Sequence, residues 1–315
     1  MNETPLATAT LVPDSNCVPP LRAADATQPS GQVRMKIDSM LAYELDDHCD
    51  FVFLIQSAVG MNQAVVEENL LLEPATPFHT YSDPQSGNRF LRLQAAAGPF
   101  KVIYRAVVDK VIETVDHAAP EVPVCEIPDN VLRFLMPTRY CESDHLGPAA
   151  VQLFGALPRG HARVQAISEW VHNNIDYRIG STHATTTARD VFVQRSGVCR
   201  DFAHLAVTFC RALNIPARLV CGYAPFPEPP PDFHAIFEAY LGGRWVLFDP
   251  TGMARIDHVV RVATGLDAKD VAFATIFGPA RMLSMSPDIT LVETSPLVLV
   301  QQDPALMHRQ TEQAM

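Results

Sequence analysis

Between Ser196 and Thr251 the hydrophobic period of the chain changes, and this change restricts the fold more than any other feature. Ser196-Gly197-Val198-Cys199 leads into a stretch where Phe202, Ala203, Ala206, Phe209, Cys210 and Leu213 recur at spacings of three and four. That is the period of a helix with one buried face. Asn214 can adopt the left-handed conformation that ends a helix, and Pro216 blocks its continuation. From Ala217 the period is two. Segments 217–223 and 233–240 read as strands, Gly242-Gly243 as a hairpin turn and 244–248 as the returning strand, closed by Asp249-Pro250-Thr251-Gly252. A helix, a strand and a hairpin in short-range order make an α+β domain.

The remainder of the 315 residues sorts around this unit. Residues 1–32 carry no basic segment followed by an apolar one and read as a disordered tail without a targeting signal. Residues 33–115 contain many short alternating segments separated by Gly and Pro, the pattern of an antiparallel β domain. Pro120, Pro123 and Pro128 mark a linker over 116–130. Helical signals then return, with Val164, Ile167, Trp170, Val171 and Ile175 on one face of a helix over 162–175. A second domain is expected to extend over 131–295, with 289–292 as a closing strand and 296–315 as a polar tail.

Hydrophobic residues make up 48% of the chain, enough for a sizeable core. The net charge of −11 argues against nucleic-acid or anionic-membrane partners, which call for a basic surface. No run reaches the length of a membrane-spanning helix. Seven cysteines without a regular framework fit a reducing compartment, and the expected location is cytoplasmic. Cys199 and Cys210 lie about 16 Å apart along one helix, too far for a disulfide.

The start of the 199–213 helix places Cys199 among unsatisfied backbone N–H groups and at the positive end of the helix dipole, where an anionic sulfur is favoured. An acyl-transfer cysteine also needs a base and a group that orients it. His234 opens the first hairpin strand and Asp249 ends the second, so a hairpin about Gly242-Gly243 brings them to one open end. Their distances from the turn differ by about two residues, an offset that a longer turn or a bulge would absorb. His204 falls about 140° round the helix from Cys199. His161, His172, His183 and His204 read as surface histidines, and Cys17, Cys49, Cys125, Cys141, Cys210 and Cys221 as inert buried thiols. A zinc site at Cys199 and His204 lacks paired-ligand spacing, and the Asp46-Asp47-His48-Cys49-Asp50 cluster reads as a solvated loop, so no metal is expected. No cofactor motif occurs.

Ser196–Ala203, Arg211–Arg218, Gly222-Tyr223, His234-Ala235 and Trp245–Thr251 together resemble the bacterial transglutaminase-like family, a branch of the papain-like cysteine enzymes. The resemblance is dense over 160–275, includes Gly265, Asp267-Ala268 and Asp270-Val271, and is weaker over the N-terminal β region. It implies a catalytic helix packed on an antiparallel sheet, with Cys199 as nucleophile, His234 as base and Asp249 as its orienter. The family commonly has glycine at Asn214, tryptophan at Ile236 and arginine at Leu266, departures that bear on the substrate more than on the triad. The implied activity is thiol-dependent acyl transfer on peptide or glutamine amides through a thioester, as a cysteine protease or amidase. A glutamine transglutaminase is the alternative, and a non-catalytic binding module that kept the fold is the rival from another class. The Cys199 N–H is the expected first oxyanion donor. Tyr177 and Trp170 are candidates for the second, against the alternative that both are core aromatics.

Overall fold

The computed structural model describes residues 29–60, 62–226 and 232–295. Most of the two expected tails and of the proline-rich segment 225–231 lie outside these residues. The N-terminal region contains β1 (Pro29–Leu45), β2 (Cys49–Phe53), β3 (Gln63–Glu73), β4 (Phe78–Ser82), β5 (Arg89–Ala95) and β6 (Gly98–Glu113). Short helices α1 (Asp129–Leu132) and α2 (Gly147–Phe154) precede α3 (His161–Asn174). Then come β7 (Asp176–Tyr177), α4 (Ala188–Gln194), β8 (Ser196–Gly197) and α5 (Cys199–Ala212). The chain continues through β9 (Ala217–Tyr223), β10 (His234–Leu241), β11 (Arg244–Phe248), β12 (Val260–Gly265), α6 (Ala268–Val271), β13 (Ala274–Phe277) and β14 (Ala280–Ser295). No helix among the described residues is long and apolar enough to cross a membrane.

Three four-stranded antiparallel sheets carry the fold, in the orders β14-β1-β6-β3, β13-β2-β5-β4 and β11-β10-β9-β12. The first two pack face to face through alternating inward residues. Tyr43 of β1, Phe51 of β2 and Phe100 of β6 meet there with ring centroids 5.3–5.4 Å apart, and all three are buried. This sandwich is the expected N-terminal β domain, but it is not built from the N-terminal region alone. β14 pairs with β1 from Gln32–Ser295 to Leu45–Ala280, and β13 pairs with β2. So the last strands of the expected second domain complete the N-terminal sheets instead. Pro29–Gln32, read as the end of a tail, already belong to β1. The Asp46-Asp47-His48 cluster is the exposed turn between β1 and β2.

The third sheet packs against α5. The helix is buried nearly all round, from Asp201 without interruption to Arg211. Its apolar residues Phe202, Ala203, Ala206 and Phe209 join the main core with Phe237 and Ala239 of β10 and Leu219 of β9. Asn214 ends it at φ 62°, in the left-handed region anticipated for it. The 116–130 segment is fixed to the hairpin tip, where Gly242 N–H donates to Pro120 O (2.8 Å) and Glu121 bridges to Leu241.

Candidate active site

Three local devices present Cys199. Arg178 N–H donates to Gly197 O (2.9 Å), and Asp176 N–H to Arg195 O (2.8 Å), so the short parallel pair β7–β8 fixes the chain just before α5. The Val198 N–H donates to Asp201 Oδ2 (2.9 Å), which satisfies an orphan donor of the helix start. Asp201 is almost fully buried and is also held by the Thr182 hydroxyl (2.6 Å) and the Arg200 guanidinium (2.8 Å). Gly197 is required for this approach, because a Cβ there would lie 2.8 Å from Asp201 Cβ. Cys199 follows as the first residue of α5, buried but for 8% of its surface.

The hairpin supplies the partners. Leu241 pairs with Arg244 across a two-residue turn, with Gly242 at φ 56° and Gly243 at φ 83°, as a type I′ turn requires. The register stays regular to Phe237–Phe248. Neither a long turn nor a bulge absorbs the two-residue offset between His234 and Asp249. Instead β11 stops at Phe248 and the chain turns at Asp249-Pro250, bringing the carboxylate diagonally across to His234. His234 Nε2 lies 2.9 Å from Asp249 Oδ2, both side chains being at most 3% exposed. Asp249 is held in turn by Thr251 N–H (2.8 Å), the Thr251 hydroxyl (2.7 Å) and Ala254 N–H (3.0 Å). Phe226 packs on the imidazole at 5.3 Å.

Electrostatics follow from this geometry. Burial works against a charged His234, but its hydrogen bond to Asp249, its interaction with Cys199 and the charges of both outweigh burial and lift its pKa to about 9. Burial opposes the Asp249 carboxylate as well, yet His234 and the Thr251 and Ala254 donors hold its pKa below the usual range. With Nε2 committed to Asp249, His234 Nδ1 makes no regular hydrogen bond among the described residues. The Cys199 Sγ lies 3.9 Å from the Phe233 carbonyl oxygen, so the residue before His234 touches the sulfur.

The two aromatic candidates separate. Tyr177 sits on β7 beside the start of α5, packs on Phe202 at 5.8 Å and lies within electrostatic reach of Cys199. Burial and then the Cys199 charge raise its pKa, which keeps the phenol protonated and a donor. Trp170 packs instead among Phe154, Phe192 and Phe209 with the Arg195 guanidinium over its ring. Phe209 is ten residues along α5 from Cys199, about 15 Å, so Trp170 is a core aromatic.

Other readings change too. His204 is not on the surface but fully buried, stacked on Tyr140, with Nε2 accepting from Ala268 N–H (3.0 Å). Burial, then Arg200 and Arg211, push its pKa down to about 3. His161 is also buried, while His172 and His183 are exposed as expected. Cys125 is exposed rather than buried, and Cys17 lies outside the described residues. Leu266 gives its carbonyl to Arg211 Nη2 (2.6 Å), which places that departure at the far end of α5 from Cys199. Ile236 is buried with Val220, Phe226 and Val259 next to His234. The sequence reading missed Asp201 and Thr251. A carboxylate at the third helical position and the threonine of Asp-Pro-Thr were the available signals.

The comparisons agree with this architecture. Residues 150–250 match the transglutaminase-like superfamily core, and residues 33–130 match the bacterial transglutaminase N-terminal domain. The chain belongs to the transglutaminase-like superfamily. A crystal structure described as "a Putative Cysteine Protease from Cytophaga hutchinsonii" superposes with a TM-score of 0.81 at 38% identity, over 87% of this chain and 96% of that one. An uncharacterized protein of Mycobacterium leprae (strain TN) is 32% identical over 149 residues, 44% of this chain and 52% of that protein. A Mycobacterium tuberculosis (strain ATCC 25618 / H37Rv) relative is 32% identical over 116 residues, 37% of its length. The chain thus spans about half or less of the curated relatives it matches.

Proposed function

We propose that this protein is a thiol acyl-transfer enzyme acting on peptide or glutamine amides, with hydrolysis as its principal outcome. The observation that carries the reading is the buried Asp249–His234 pair whose free imidazole nitrogen is left to the cysteine at the start of α5. Nε2–H donates to Asp249 Oδ2, so Nδ1 is the nitrogen that takes the thiol proton. The sulfur attacks the amide carbonyl, and a tetrahedral oxyanion forms. The Cys199 N–H and the Tyr177 hydroxyl act as the donors to that oxyanion. The Nδ1 proton then goes to the leaving amine, the C–N bond breaks and a thioester remains. Water, deprotonated by Nδ1, attacks the thioester, the S–C bond breaks and the acid departs with the thiol restored. The description of the Cytophaga hutchinsonii relative supports the hydrolytic outcome.

Transfer to an amine is the second reading, favoured by the bacterial transglutaminase N-terminal match. Intact-mass analysis of a glutamine peptide incubated with the protein and a primary amine separates the two. Cleavage or a one-dalton deamidation gain marks hydrolysis, and an amine adduct marks transfer. Cys199→Ala should remove every one of these products, a loss of about 10⁴-fold or more, with an unchanged denaturation midpoint. Turnover by Cys199→Ala at the wild-type rate would sink the mechanism, and no turnover by the wild type on any of these substrates would leave the binding-module reading.

A further inference from the structure

One charged residue close to the sulfur among the described residues has no part in this mechanism. Asp232 precedes Phe233, whose carbonyl lies 3.9 Å from Cys199 Sγ. Adjacent Cα atoms are 3.8 Å apart, so the Asp232 Cα is at most about 10 Å from the nucleophile. Phe233 and His234 are buried, whereas Asp232 is exposed, which puts its carboxylate at the mouth of the site. Among the described residues no lysine or arginine pairs with it, and the one cationic group acting on it is His234. Burial raises the Asp232 pKa and His234 opposes that rise, and the Asp232 charge also reaches Tyr177 on β7 and Cys221 on β9.

We propose that Asp232 is a specificity residue that selects substrates bearing a protonated amine close to the reacting carbonyl or on the incoming nucleophile. This rests on the reading of Cys199 as nucleophile and narrows its substrate class. An exposed carboxylate attracts a cation across a short, partly hydrated gap and repels an anionic side chain from the same place. The neighbouring imidazolium lies buried beneath it, held by Asp249, so the mouth presents the Asp232 charge first.

The test does not depend on finding a substrate. Two methanethiosulfonate reagents differ only in charge, one carrying a trimethylammonioethyl group and the other a sulfonatoethyl group. Each converts a thiolate to a mixed disulfide and releases methanesulfinate. Peptide mapping follows labelling at Cys199 and, as a reference within the same molecule, at the exposed Cys125. Asp232→Asn should slow the cationic reagent at Cys199 about five-fold and speed the anionic one, as expected for one charge acting over about 8 Å. Asp232→Glu should keep the wild-type preference, and the ratio at Cys125 should not move in either variant. Protection of Cys199 by N-acetyl-lysine amide, by alanine amide and by N-acetyl-norleucine amide then tells a side-chain amine from a terminal one. An unchanged charge preference in Asp232→Asn, with Cys199 still labelled rapidly, overturns the role of Asp232 and leaves the nucleophile standing. Failure of both reagents to label Cys199 overturns both.

Discussion

The two halves of this molecule close their sheets over very different lengths of chain. Around the active site, helix, strand and hairpin follow one another directly, and His234 and Asp249 are only 15 residues apart. In the sandwich, Ile37 pairs with Ile289, and β13 and β14, near the C-terminal end of the described chain, close sheets built by strands from its N-terminal end. The first arrangement brings reacting groups together by local turns, and the second supplies a rigid support. The two share one continuous apolar core, where Tyr104 stacks with Tyr223 at 6.4 Å, and are tied as well at a few polar points. Tyr223 Oη donates to Ile55 O (2.7 Å), Lys110 Nζ donates to Ile256 O and Val259 O (2.8 Å each), and Asn88 exchanges hydrogen bonds with the Thr264 backbone. If this division holds, changes in the short-range half should stop turnover, and changes in the sandwich should lower stability at constant turnover per folded molecule.

The largest expected effect is in the short-range half. His234→Gln should lower kcat/KM about 10³- to 10⁴-fold, because the base and the proton donor are lost together. Its stability signature has a defined sign. The folded pKa of His234 is raised to about 9, above the ordinary value of 6.5. Its contribution is therefore fully present below pH 6.5 and is lost as pH rises through about 9. Urea midpoints of the wild type should fall across that window, and those of His234→Gln should lack that component.

Next come two substitutions of similar cost that probe the boundary from opposite sides. Phe51→Ala opens a cavity between the sandwich sheets and should cost about 3–5 kcal/mol without changing kcat of the folded fraction. Glu238 lies on β10, within the catalytic sheet, yet its role is structural. Its carboxylate, 1% exposed, takes Arg218 Nε (2.7 Å) and Arg261 Nε (3.0 Å). Burial opposes the charge, but the two guanidinium groups hold the Glu238 pKa below its usual range. Glu238→Gln should cost about 3–5 kcal/mol by removing the buried negative charge that two half-buried guanidinium groups share. A loss of kcat in Glu238→Gln comparable to that of His234→Gln would break the division.

Why the short-range half was legible follows from the same geometry. Gly197, Cys199, Gly242-Gly243 and Asp249 act through turns and helix ends, whose chemistry is written in neighbouring residues. The destination of β14 was not so written. Its alternating pattern fits any sheet with a free edge, and its pairing with β1 depends on chain that lies between them. His204 failed for a different reason. Helical periodicity assumes one wet face, but segments around Tyr140 and Ala268 cover that face of α5. Tyr177 and Trp170 were equal in the sequence as upstream aromatics, and only the β7–β8 pairing turned one of them toward Cys199.

A smaller effect tests the contact between the halves. Lys110 is 5% exposed and ties the loop behind Asp249 to β6. Lys110→Met should cost about 1–3 kcal/mol in urea denaturation, the range for hydrogen bonds to a charged donor. Turnover should fall only a few-fold, because Thr251 and Ala254 still hold the carboxylate. A loss of 100-fold would show that the sandwich positions the site rather than supporting it.

The smallest effect lies at the far end of α5. Asn214 stands at φ 62°, where the resemblance to the family anticipates glycine. Asparagine tolerates this conformation better than other residues with a Cβ, at a modest steric cost. Glycine removes that cost but gains freedom in the unfolded chain, which works against folding by about 0.4–1 kcal/mol. The two terms nearly cancel, so Asn214→Gly should shift the unfolding free energy by less than about 0.5 kcal/mol and leave kcat/KM unchanged. Asn214→Val keeps the steric cost without the local polar compensation and should lose about 1–2 kcal/mol. A substantial gain from Asn214→Gly would mean that the left-handed turn is strained here, and that the short-range half carries part of its own stability deficit at this helix end.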